Sequence, residues 1–234
     1  MNTRLSNCAL TSGVALLLGP IAAGQSPAPP PAEATAKPAI ATPAAAPAAK
    51  PVPATTLLDD LLSSFVWSEN AKSLAESFAI KADADGFPGA ASLFRVASRS
   101  LNILATQYSD SVKKLGGIPA SKADDSLPKV KTTKENLLAF SKLLTTRRTG
   151  PLADAATRHR TGPNREATKT LHYEREALTE LARFSTDASE SLEKLKAAKK
   201  DFFVSRPCGY VTDKLVADKC PVCKTGKDQF EKIN

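Results

Sequence analysis

The chain has 234 residues, of which 42% are hydrophobic and 24% charged, with a formal net charge of +8. That length suits one ordinary domain with a small appendage rather than an array of domains. The excess positive charge would suit nucleic acid or anionic lipid. The cations, however, alternate with ordinary helix acids, so a solvated basic surface is expected and no nucleic-acid partner.

Residues 1–24 carry one early cation, Arg4, an apolar stretch around Val14–Leu18, and small residues at Ala22, Ala23 and Gly24. This is the layout of a secretory signal peptide cleaved near Gly24–Gln25. The apolar run, interrupted by Gly13, Gly19 and Pro20, is too short to span a bilayer comfortably, so no transmembrane span is expected after cleavage. A periplasmic or otherwise exported protein follows. Residues 25–54 are almost entirely Ala and Pro. Such a segment has nothing to bury and favours extended, polyproline-like conformations, so it reads as a disordered, semi-rigid linker.

From residue 55 the apolar pattern is helical. The first helix starts after Thr55 or Thr56 and runs to about Asp85, with Gly86 as its stop and an inner stripe of Leu61, Phe65, Ser68, Ala71, Ala75 and Phe78. Pro88 suits the first turn of the second helix, which ends at Gly116–Gly117. Its stripe, Ala90, Phe94, Ala97, Leu101, Leu104, Tyr108 and Val112, alternates steps of three and four as a bundle seam does. A longer connection containing Pro119 and Pro128 leads to a third helix capped by Thr132 or Thr133, with Glu135 placed for a capping box. Leu137, Phe140 and Leu144 face inward, and Gly150–Pro151 must kink or break this helix before it resumes toward Arg160. The fourth helix opens near Pro163–Asn164 and is predicted to continue to about Ala198. Its seam is Leu171, Glu174, Leu178, Leu181, Ser185, Ala188, Leu192 and Leu195. The expected organisation is a signal peptide (1–24), a linker (25–54), an all-α four-helix bundle (55–200) and a small C-terminal cysteine module (201–234).

Two stretches carry a family resemblance. The run from Phe78 to Arg95 is similar to the end of the first rubrerythrin helix, its turn and the start of the second. The tail Phe202-Phe-Val-Ser-Arg-Pro-Cys-Gly-Tyr210, with Cys220-Pro-Val-Cys223 and Phe230-Glu-Lys-Ile233, resembles the rubredoxin-like end of the same family. Thr133–Leu137 and Asn164–Ala167 resemble the starts of its third and fourth helices. The resemblance to rubrerythrin implies a ferritin-like bundle, pairing of bundles into a homodimer, and two irons held by glutamates and Glu-x-x-His pairs. Hard cations need bridging carboxylates, and residues three apart project to one side of a helix. Carried over position by position, those ligands fall at Ser68, at Leu101 and Leu104, at Leu144 and Arg147, and at Leu178 and Leu181. No Glu-x-x-His occurs in the chain, because His159 and His172 follow Ala156 and Lys169 by three. The expectation is a degenerate di-iron site and no di-iron centre. Carboxylates crowded in a core without metal would each cost several kcal/mol, whereas each buried leucine contributes about 1.5–3 kcal/mol.

Arg147 and Glu174 are the odd polar residues near the seam. One reading turns both toward solvent, Arg147 joining Arg148, Arg158, Arg160 and Arg165 in a basic surface able to adsorb to anionic lipid. The other makes them an ion pair linking the third and fourth helices.

A rubredoxin module holds one metal between two Cys-x-x-Cys knuckles, four thiolates suiting tetrahedral iron or zinc. Here Cys220-Pro-Val-Cys223 is intact, while the first knuckle, Ser205-Arg-Pro-Cys208, has serine in its leading position. Three readings stay open: a single iron or zinc on Cys208, Cys220, Cys223 and Ser205; a disulfide, in the oxidising compartment that export implies; or remnant thiols. The function expected is non-catalytic, structural or partner-binding, with an unknown protein partner. The alternative is a peroxide-reducing oxidoreductase or electron carrier working through a single Cys3Ser iron.

Overall fold

A computed structural model describes residues 56–215 and 217–234. The expected signal peptide and linker lie outside the described residues. Helix α1 (Leu57–Ala84) opens on a reciprocal capping box between Thr56 and Asp59, and Gly86, at φ +78°, ends it in the left-handed region. α2 (Pro88–Lys114) has proline in its first turn. α3 (Thr133–Thr149) repeats the capping box with Thr132 and Glu135. At Gly150–Pro151 the helix breaks, because proline offers no amide to continue the ladder, and α4 (Pro151–His159) resumes after it. α5 (Arg165–Glu190) closes the bundle. α1 packs chiefly on α2, and α3 on α5. Among the described residues no helix is long and apolar enough to cross a membrane.

Two expectations need correction. The last helix ends at Glu190, not near Ala198. The Ser189 and Ser191 hydroxyls donate to the carbonyls of Thr186 and Asp187, competing with the helix ladder at its last turn. Leu192 and Leu195 continue as a 3-10 turn (Leu192–Leu195) that still packs on the bundle, since Leu195 lies over Gly89, where a Cβ would come within 3.1 Å. In α1 the seam runs through Ser64, while Phe65 is only half-buried.

The interior is layered along the bundle axis. Phe78, Phe94 and Phe140 meet edge to face with centroids 5.4–6.2 Å apart, where α1 ends and α2 begins. Leu101, Leu104, Leu144, Leu178 and Leu181 fill the middle, each 0% exposed. The C-terminal module is an antiparallel sheet of order β2-β1-β3, with β1 (Phe202–Ser205), β2 (Val211–Thr212) and β3 (Phe230–Ile233). It lies on α2, where Ser100 donates to the Gly209 carbonyl at 2.6 Å, Gln107 to the Pro207 carbonyl at 2.7 Å, and Arg99 to Glu231 at 2.8 Å. Phe202 stacks edge-on against Phe184 of α5, so bundle and module form one compact unit.

Candidate metal centre and buried polar tie

Strand β1 delivers Ser205 to the start of a hairpin. The Cys208 and Gly209 amides both turn back to the Ser205 carbonyl, and the Ser205 amide donates to Tyr210. Gly209 is required twice: its φ is +73°, and a Cβ there would sit 3.1 Å from the Ser100 carbonyl of α2. The second hairpin has the same form. The Lys224 amide donates to the Cys220 carbonyl, and the Cys220 amide to Thr225. Lys224, at φ +63°, takes the left-handed position that Gly209 takes in the first.

These hairpins bring Cys208, Cys220 and Cys223 together, their sulfurs all within 4.8 Å of one another. Cys208 Sγ is 3.7 Å from Cys220 Sγ. Ser205 Oγ lies 3.3 Å from Cys208 Sγ and 3.5 Å from Cys223 Sγ. Sulfurs around a tetrahedral iron or zinc, each bonded at about 2.3 Å, stand about 3.8 Å apart, and a sulfur and an oxygen somewhat closer. The four donors therefore have the chemistry and spacing of a Cys3Ser set, and a single ion fits it. All three cysteines are free thiols, not joined to one another.

Access is one-sided: Ser205, Cys208 and Cys220 are fully buried, and only Cys223 is half-exposed. Burial pushes the Cys208 thiol up to about 12. Burial acts the same way on Cys223, but hydrogen bonds from Ser205 and Thr225 outweigh it and bring that thiol down to about 7. Thr225 and the left-handed Lys224 are the site features that spacing did not reveal.

The centre of the bundle holds a different constellation. Arg147 Nε donates to Glu174 Oε1 at 2.9 Å, and Nη2 to Ser64 Oγ at 2.5 Å. The Tyr108 hydroxyl donates to Glu174 Oε2. Glu174 is 0% and Arg147 6% exposed, which overturns the solvent-facing reading and takes Arg147 out of the basic surface. The four side chains come one each from α1, α2, α3 and α5. Burial would lower the Arg147 pKa, but Glu174 beside it raises it, so the charge is retained; burial and Glu174 hold the Tyr108 hydroxyl well above its ordinary value, so it stays a donor.

The remaining positions matched to rubrerythrin ligands are the middle leucines and Ser68. The Ser68 hydroxyl is buried with no hydrogen-bond partner among the described residues. Neither histidine is deeply buried. His172 is exposed, and His159 sits half-buried beside Arg158, both bonded to Asp60, with His159 Nε2 2.6 Å from its carboxylate. Among the described residues, one group of three or more Cys, His, Asp or Glu is gathered closely enough to hold a metal, and it is the cysteine cluster.

No protein-family model matches the chain, and no curated protein does. Solved structures do. Nigerythrin, of the rubrerythrin family, in a mixed-valence state superposes with a TM-score of 0.67 at 19% identity, over 80% of this chain and 90% of the other. Its fully reduced, all-ferrous state gives 0.68 at 19%, over 77% and 88%. A partially reduced state gives 0.65 at 19%, over 80% and 90%. The chain therefore has the ferritin-like fold of nigerythrin, with a C-terminal cysteine cluster that fits a rubredoxin-like module.

Proposed function

We propose that this chain is an exported, non-catalytic relative of the rubrerythrins. Its bundle lacks the di-iron ligands and serves as a structural or partner-binding scaffold, and its C-terminal module holds one iron or zinc on Cys208, Cys220, Cys223 and Ser205. The observation that carries the reading is the set of fully buried leucines at the bundle centre: Leu101, Leu104, Leu144, Leu178 and Leu181. Leucine offers no lone pair to a cation, and the Glu174 carboxylate beside them is engaged by Arg147 and Tyr108. The pocket that two hard cations need is thus lined by groups that cannot bind them. In the module, soft thiolates and an oxygen donor suit either metal, whose role there is to hold two short hairpins together.

Metal analysis and a visible spectrum of the purified protein test both halves. One metal per chain is expected in the wild type and none in Cys220→Ser. In Ser205→Cys a fourth sulfur should slow metal loss to a chelator at least about tenfold, equivalent to about 1.4 kcal/mol. More than one iron per chain, together with peroxide-dependent turnover, overturns the reading in favour of an oxidoreductase.

A further inference from the structure

Away from the metal centre, a groove of about 680 Å³ lies between α1 and α3. Leu62, Val66 and Trp67 form one wall, Leu143 and Pro151 the other, and Ile118, 83% exposed, stands at the rim. This size falls within the range of small-molecule sites, which combine apolar walls with a few fixed polar groups. Arg147 also lines the groove, and it is such a group.

The guanidinium is held from behind. Nε and Nη2 are engaged by Glu174 and Ser64, and its carbon lies 5.2 Å from the centroid of the Trp67 ring. Nη1 has no hydrogen-bond partner among the described residues, yet it is not one of the sealed, unpartnered polar atoms there. It is therefore the end of Arg147 that the groove reaches, a positioned donor on a side chain otherwise 94% buried, 6% being exposed. Glu174 already balances the arginine charge, so this donor suits a carbonyl oxygen as well as a full anion.

We propose that the groove binds one acyl chain, its carbonyl or carboxylate oxygen accepting from Arg147 Nη1 and its methylenes lying against Trp67, Leu62, Val66 and Leu143. Asp124 at the same groove would draw a cationic head instead, which sets the control.

Trp67 is the only tryptophan of the chain, so its emission reports the groove directly. The full-length protein is titrated, below micelle formation, with decanoate, decanamide and decyltrimethylammonium, and calorimetry gives the stoichiometry. A saturable shift at one molecule per chain is expected for decanoate or decanamide, with the ammonium compound at least tenfold weaker. Tighter decanoate assigns a free fatty acid, tighter decanamide an amide-linked chain, and either outcome upholds the proposal. Affinity should rise about fourfold per methylene from octanoate to decanoate. Ser63→Phe, at an exposed position on the groove wall, should weaken binding about tenfold without altering unfolding. The double variant Arg147→Met/Glu174→Leu should bind all three head groups alike. The absence of a saturable shift, undiminished binding by Ser63→Phe, or an ammonium compound binding as tightly as decanoate overturns the proposal.

Discussion

At the centre of the bundle, polar atoms answer one another. Arg147 and Tyr108 both donate to Glu174, and Ser64 accepts from Arg147. In the C-terminal module, two buried thiols, the buried Ser205 hydroxyl and the half-exposed Cys223 thiol crowd together at contacts of 3.3–3.7 Å, with Cys208 held protonated by burial unless a cation takes the proton's place. The first arrangement balances its own charge and leaves the Arg147 Nη1 donor to the groove. The second has donors in surplus and gains most from an ion. The two regions thus handle buried polar atoms differently, by internal pairing in the bundle and by a cluster of donors spaced for one ion in the module.

The comparison breaks most visibly at Glu174. Removing one member of a buried ion pair strands the other, so Glu174→Leu should cost about 3–5 kcal/mol in chemical denaturation. Taking out both charges with Arg147→Met/Glu174→Leu should return most of that loss, because well-packed apolar replacements of a buried pair are near neutral or stabilising. If the double variant is as unstable as the single one, the tie is not a self-contained pair.

Metal removal sharpens the other side. Chelation should leave the helical signal at 222 nm nearly unchanged, since the five helices supply none of the four donors. Amide exchange in residues 202–233 should accelerate about tenfold to a hundredfold, a local loss of about 1.4–2.7 kcal/mol. Loss of helix on chelation would show that the bundle also depends on metal.

How much of this was legible depended on how local the cause was. The starts of α1 and α3 and the stops at Gly86 and Gly116 were readable because a cap and its partner lie within a few residues. The knuckle donors were readable because their spacing encodes the hairpin. The end of α5 was not: Leu192 and Leu195 keep a helical apolar spacing while the serine hydroxyls at 189 and 191 share the carbonyls of the last turn. Nor was the direction of Arg147 and Glu174. Each alone reads as a boundary residue, and only the meeting of α1, α2, α3 and α5 makes their burial affordable. The groove beside Trp67 is likewise a property of two helix faces and a connection, with no signature in any one of them.

The smallest expected effect separates the two hairpins of the module. Each places a left-handed residue directly after its last donor, Gly209 after Cys208 and Lys224 after Cys223. At Gly209 the choice is forced by the Ser100 carbonyl as well as by φ, whereas Lys224 is exposed. A left-handed lysine costs about 1–2 kcal/mol relative to the right-handed region. Its amine recovers part of that by donating to the Pro221 carbonyl at 2.7 Å. Glycine would relieve the backbone cost but adds about 0.5–1 kcal/mol of freedom to the unfolded chain. Lys224→Gly should therefore stabilise the module by only about 0.5 kcal/mol, read from amide exchange at Cys220 and Thr225. Gly209→Ala should instead destabilise it by more than about 1 kcal/mol, because strain and the close carbonyl act together. Equal effects at the two positions would mean that contact with α2 contributes nothing to the shape of the first hairpin.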